Sequence, residues 1–101
     1  MIFVPLVLAA STPADLLAKA RKEYAGCLSA YTTSATDKKM PREEFLAGLK
    51  TKCAKEETDF RAALAASDKA DGMTPKEASE DADDQVSGYV EQMTDNFDSA
   101  G

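Results

Sequence analysis

The sequence contains no histidine, and that absence removes most catalytic plans at once. A Ser–His–Asp triad, a Cys–His pair and a histidine-ligated metal centre are all impossible. Tryptophan is missing too, and the aromatic residues are three tyrosines and four phenylalanines. The apolar content therefore leans on alanine, which buries little area. A chain of 101 residues with so thin a core is marginal without extra support. Glycine and proline are scarce, at five and four, and no low-complexity tract or internal repeat is present. Neither a P-loop nor a G-x-G-x-x-G motif occurs. No stretch shows the two-residue alternation of a strand, so the composition points to one all-α domain.

Positive charge is short in one half only. Residues 1–75 carry eleven basic and ten acidic side chains, whereas residues 76–101 carry one and eight. An end with a net charge of −7 repels phosphate backbones and anionic membrane surfaces, which argues against nucleic-acid binding. The N-terminus, 1-MIFVPLVLAASTP-13, is uncharged and apolar from Ile2 to Ala10. It resembles the apolar core of a secretory signal, with Val7-Leu8-Ala9 as a small-residue cleavage site. No Lys or Arg precedes the run and the run is short, so the alternative is an apolar arm packed on the domain. It is too short to span a bilayer, which takes about 20 apolar residues. The expected organisation is residues 1–10 as signal or arm and residues 11–101 as one helical domain.

Three prolines, each followed two residues later by an acid, mark three helix starts: 12-TPAD-15, 40-MPRE-43 and 74-TPKE-77. Proline at the first helical position loses nothing, because its missing N–H has no partner there anyway. Thr12 with Asp15 and Thr74 with Glu77 have the spacing of capping boxes. Met40 cannot cap, so the second start relies on Pro41, Glu43 and Glu44. The first helix is expected from Pro13 to the low thirties, ended by 32-TTSATDKK-39. Its inward stripe is Leu17, Ala20, Tyr24, Cys27, Tyr31 and Ser34, widened by Leu16 and Leu28. The second is expected from Pro41 to about Ala70, with Phe45, Leu49, Cys53, Phe60 and Leu64 inward and Asp71-Gly72 closing it. The third is expected from Pro75 toward Phe97, with Ala78, Ala82, Val86, Tyr89, Met93 and Phe97 inward.

Each cysteine sits mid-helix, at Cys27 and Cys53. If the first two helices form an antiparallel hairpin turning near residue 40, the cysteines lie level on the seam. Tyr31 then faces Leu49, Ala20 faces Phe60 and Leu17 faces Leu64, with Gly26 allowing close approach. A bridge would close a loop of about 26 residues, worth roughly 3–4 kcal/mol on the chain-entropy model, and would imply an oxidising compartment. The other reading is two small buried thiols. A redox pair would normally be a C-x-x-C, and zinc would have only carboxylates to add to two thiolates. The pattern Tyr24-x-x-Cys27 … Phe45 … Cys53-x-x-Glu56 … Phe60-Arg61 resembles uncharacterised small exported bacterial proteins with one cysteine in each of two paired helices. That resemblance covers about residues 13–70. It implies an all-α fold and an extracytoplasmic home, and no activity.

The segment 67-SDKADGMTPKEA-78 imitates a calcium loop but places Lys69 and Ala78 where oxygen ligands belong, so an EF-hand is rejected. The best functional lead is the acidic third helix. Glu77, Glu80, Asp81, Asp84, Glu91, Asp95 and Asp98 recur at helical spacing opposite its apolar stripe. They form a solubilising face, a surface for a basic protein partner or a weak divalent-cation site. Acids near the C-terminal end oppose the helix dipole, so that end is expected to fray. Lys50, Lys52, Lys55 and Arg61 offer counter-charges, within the molecule or between copies through self-association. The expectation is a disulfide-linked antiparallel hairpin plus a third acidic amphipathic helix. Functionally it reads as a non-enzymatic periplasmic or secreted structural or interaction module without cofactor or metal, cytoplasmic only if residues 1–10 are no signal. The alternative is a small binding protein for an apolar ligand or a divalent cation.

Overall fold

The computed structural model describes residues 12–100, and these are helical almost throughout. The expected signal or arm, residues 1–10, lies outside the described residues. Four helices replace the three expected: α1 (Pro13–Asp37), α2 (Arg42–Thr51), α3 (Ala54–Ala70) and α4 (Pro75–Ala100). No helix among the described residues is long and apolar enough to cross a membrane.

Both capping boxes form. The Asp15 amide donates to Thr12 Oγ1 at 3.1 Å, and the Thr12 amide donates to Asp15 Oδ2 at 3.3 Å. At α4 the Glu77 amide donates to Thr74 Oγ1 at 3.2 Å and the Thr74 amide to Glu77 Oε1 at 3.0 Å. The Thr74 backbone bond, and then its hydroxyl, hold the Glu77 carboxyl below the ordinary carboxylate range. α2 begins behind Pro41 with no side-chain cap.

α1 and α3 end in the same way. In α1 the Met40 amide reaches back to the Ala35 carbonyl at 2.9 Å and Lys39 to Thr36 at 3.1 Å; in α3 Met73 reaches Asp68 at 2.9 Å and Gly72 reaches Lys69 at 3.0 Å. Each pair is a Schellman closure, which needs a left-handed residue just past the helix. Gly72 takes that position freely at φ 90°, while Lys39 occupies it at φ 53°, a conformation less favourable for a residue with a Cβ.

Three boundaries differ from expectation. α1 runs through the polar stretch to Asp37 because Thr32 and Ala35 turn inward and are buried. The Thr32 hydroxyl satisfies itself on the Leu28 carbonyl at 2.8 Å, so its burial leaves no orphaned group. The expected second helix breaks at Lys52 and Cys53. Cys53 leaves helical geometry (φ −112°, ψ 27°) and becomes the cap of α3. α4 stays helical past Phe97 to Ala100, and its final turn is tied to the start of α2 by an Arg42–Asp98 ion pair at 3.0 Å.

α1 is the central element: it packs along α3 and α4 and touches α2, while α3 also packs on α4. Tyr24, Leu28, Phe45, Leu49, Phe60 and Leu64 are buried in one core, joined from α4 by Ala82, Val86 and Met93. Leu16, expected to widen the α1 stripe, is instead 49% exposed.

Candidate functional site

Cys27 and Cys53 are bridged, with an S–S distance of 2.04 Å and Cα atoms 6.0 Å apart. Gly26 does not serve the approach of the helices: a Cβ there would meet nothing within 4 Å. The close contact is at Gly48, where a Cβ would overlap the phenol of Tyr31. That phenol donates to the Phe45 carbonyl at 3.2 Å and lies 3.4 Å from Met40 Sδ. Gly48→Ala is therefore expected to destabilise by about 1–3 kcal/mol through overpacking, measured by urea unfolding. Tyr31→Phe in the same background should recover part of the loss. An unchanged midpoint for Gly48→Ala would mean that the ring moves aside freely.

Two aromatic trios flank the bridge. Tyr24 of α1 stacks on Phe60 of α3 at 5.5 Å, and Tyr89 of α4 meets both edge-on at 5.6 and 5.8 Å. Tyr31 of α1 stacks on Phe45 of α2 at 5.6 Å, and Phe45 on Phe97 of α4 at 4.1 Å. All six aromatic residues of the described chain are thus used, each trio drawing one ring from each of three helices. Such contacts add to plain area burial. The Arg21 guanidinium lies 5.1 Å from the Phe60 ring centroid and donates to Tyr89 Oη at 3.1 Å. Tyr24 is 1% exposed and its hydroxyl has no partner among the described residues. Burial, reinforced by the charge of Glu57, pushes its phenol up to about 12.

The acids singled out on α4 differ in their surroundings. Glu77 is spent on its cap and Asp98 on Arg42. Glu80, Asp84, Glu91 and Asp95 are exposed and form no ion pair among the described residues. Asp81 is half-buried and accepts from Gln85 Nε2 at 3.1 and 3.2 Å. Of the cations proposed to meet α4, only Arg61 does so, through Asp83 at 2.7 Å while also holding Glu57 at 3.0 Å. Lys55 pairs with Asp59 in its own helix. Lys50 and Lys52 are exposed without an ion pair among the described residues. No group of three or more metal-ligating side chains converges among them either.

Two features escaped the reading of the sequence. The first is Asp68 on α3, 7% exposed, whose Oδ2 finds no hydrogen-bond donor. Burial, then a hydrogen bond with Asp81, then the charges of Asp81 and Asp71, push its carboxyl up to about 6. Its position continues the four-residue step of Phe60 and Leu64, which was the available signal. The second is a groove of about 590 Å³ between α3 and α4, walled by Ala65, Met73, Pro75, Ala78 and Ala82 together with the polar Arg61, Lys69 and Ser79. Met73, at its edge, is 39% exposed. Alanines leave this space open because they project so little into it. Against protein-family models, curated proteins and solved structures alike, the chain has no match.

Proposed function

We propose that this chain is an exported, non-enzymatic interaction module: an antiparallel helical pairing stapled by its disulfide, with the acidic α4 laid across it. The observation that carries this reading is the Cys27–Cys53 bridge between α1 and the start of α3. Disulfides persist in oxidising compartments and are rare in the cytosol. The apolar segment Ile2–Ala10 and the resemblance of residues 13–70 to small exported bacterial proteins point the same way. The exposed acids Glu80, Asp84, Glu91 and Asp95 supply the surface for a basic protein partner.

The intact mass of the protein recovered from fractions of its native host tests the proposal. The expected species lies outside the cytoplasm, lacks about the first nine or ten residues, and is about 2 Da lighter than its reduced form. A full-length, reduced protein in the cytoplasm would overturn the reading.

A second reading, a binding protein for a small apolar ligand, is favoured by the α3–α4 groove, whose size falls within the range of ligand pockets. Native mass spectrometry of protein purified without detergent would show a retained ligand if this reading holds. Consistently ligand-free protein would count against it.

A further inference from the structure

We propose that Asp68 and Asp81 share one proton across the α3–α4 seam, and that this proton latches the first half of α4 onto α3. The latch is closed in mildly acidic medium and released as the medium becomes neutral. It operates wherever the protein resides and does not depend on the export reading.

The geometry sets the terms. Asp68 is more than nine-tenths buried, and its Oδ2 has no donor. The carboxyl within hydrogen-bonding reach is that of Asp81, on the facing helix. Two ionised carboxylates offer four acceptor oxygens and no hydrogen between them, so they repel. One proton turns the same contact into a hydrogen bond. The Gln85 amide already donates to both oxygens of Asp81 at 3.1 and 3.2 Å. Asp81 is thereby held as the acceptor, and the proton resides on Asp68.

The charged groups acting on Asp68 are Asp81 from α4 and Asp71 from the turn after α3; none from α1, which packs on both helices, contributes. Asp68 also joins no ion pair among the described residues. Every nearby charge therefore favours the neutral acid. The buried apolar residues of this part of α4 are Ala78, Ala82 and Val86. The two alanines bury little area, and the one ion pair across the same seam, Arg61–Asp83, is on the exposed side, so a hydrogen bond at Asp68 adds materially here.

The sign follows from linkage. The folded state holds the Asp68 proton up to about 6, against an ordinary value of 3.8. The stabilisation is complete below the ordinary value and is lost as pH rises through the folded one. The first turns of α4 should accordingly loosen between about pH 4 and 7, opening the groove lined by Met73, Ala78 and Ala82.

Carboxyl-carbon NMR and amide hydrogen exchange, the latter corrected for intrinsic pH dependence, test the latch. Asp68 should titrate near 6, and protection across Ala78–Val86 should fall about tenfold or more from pH 5 to 7.5. In Asp68→Asn that protection should no longer depend on pH. In Asp81→Asn, whose amide can donate to an ionised Asp68, the dependence should be clearly weaker than in the wild type. Asp84→Asn removes the same charge from the exposed face and should keep the wild-type dependence. An Asp68 midpoint below about 4.5, or an undiminished pH dependence in either latch variant, would overturn the proposal.

Discussion

Replacing Cys27 and Cys53 together by alanine is expected to lower stability by about 3–4 kcal/mol. The cysteines lie 26 residues apart in sequence, and freeing that loop restores entropy to the unfolded chain rather than removing packing from the folded one. For a domain of this size the loss corresponds to a fall of roughly 15–30 °C in melting temperature. The helical circular dichroism below the transition should be unchanged, since both aromatic trios persist without the bridge. Thermal melts with and without reductant on the wild-type chain provide the same comparison without mutation. A shift under about 5 °C would mean that the unfolded ensemble is already held compact in the region of the two cysteines.

Phe60→Ala is expected to cost about 3–5 kcal/mol. Phe60 is fully buried and is the point at which α1, α3 and α4 meet. Its removal withdraws the stacking partner of Tyr24, the edge-on contact with Tyr89 and the ring face under Arg21 at once. The half-buried Phe97 gives the internal comparison: Phe97→Ala should cost clearly less, because its ring is not enclosed on all sides. Urea titrations with the bridge intact would rank the two, and equal losses would show that the trios are energetically equivalent. Because the bridge acts on the unfolded state and Phe60 on the folded one, the two costs should add nearly in full. Their sum approaches the whole stability of an ordinary small domain.

The elements legible in the sequence are those specified locally. Thr12 with Asp15, Thr74 with Glu77 and Gly72 each act within a single turn, and each does in the structure what its spacing implied. The cysteine pairing was legible for a different reason: apolar positions matched along two helices of comparable register. The break at Cys53 had no such marker, since 51-TKCA-54 contains neither proline nor glycine. The residue that leaves helical geometry there is the one whose sulfur is committed to another helix. Thr32 concealed its burial by bonding its own helix.

The acidic helix shows the limit most plainly. Spacing on a wheel grouped seven acids into one face, but it carries no information about where cations on other helices stand. Asp83, omitted from that face, receives Arg61, and Asp81, included in it, turns toward Asp68. Gly26 and Gly48 make the same point. Adjacency to a cysteine suggested the first, whereas the placement of the Tyr31 ring selects the second.

The position of the bridge also determines how the molecule responds to tension. A force applied between Pro13 and Ala100 passes from Cys27 to Cys53 through sulfur and bypasses the residues between them. At about 3.6 Å per extended residue, the 26-residue separation hides about 90 Å of contour length. Pulled from its ends, the oxidised chain should therefore extend about 90 Å less than the reduced one, with α2 slack throughout. The load runs in series through Pro13–Cys27, Cys53–Ala70 and α4, and α4, which no disulfide ties to another helix, should peel first.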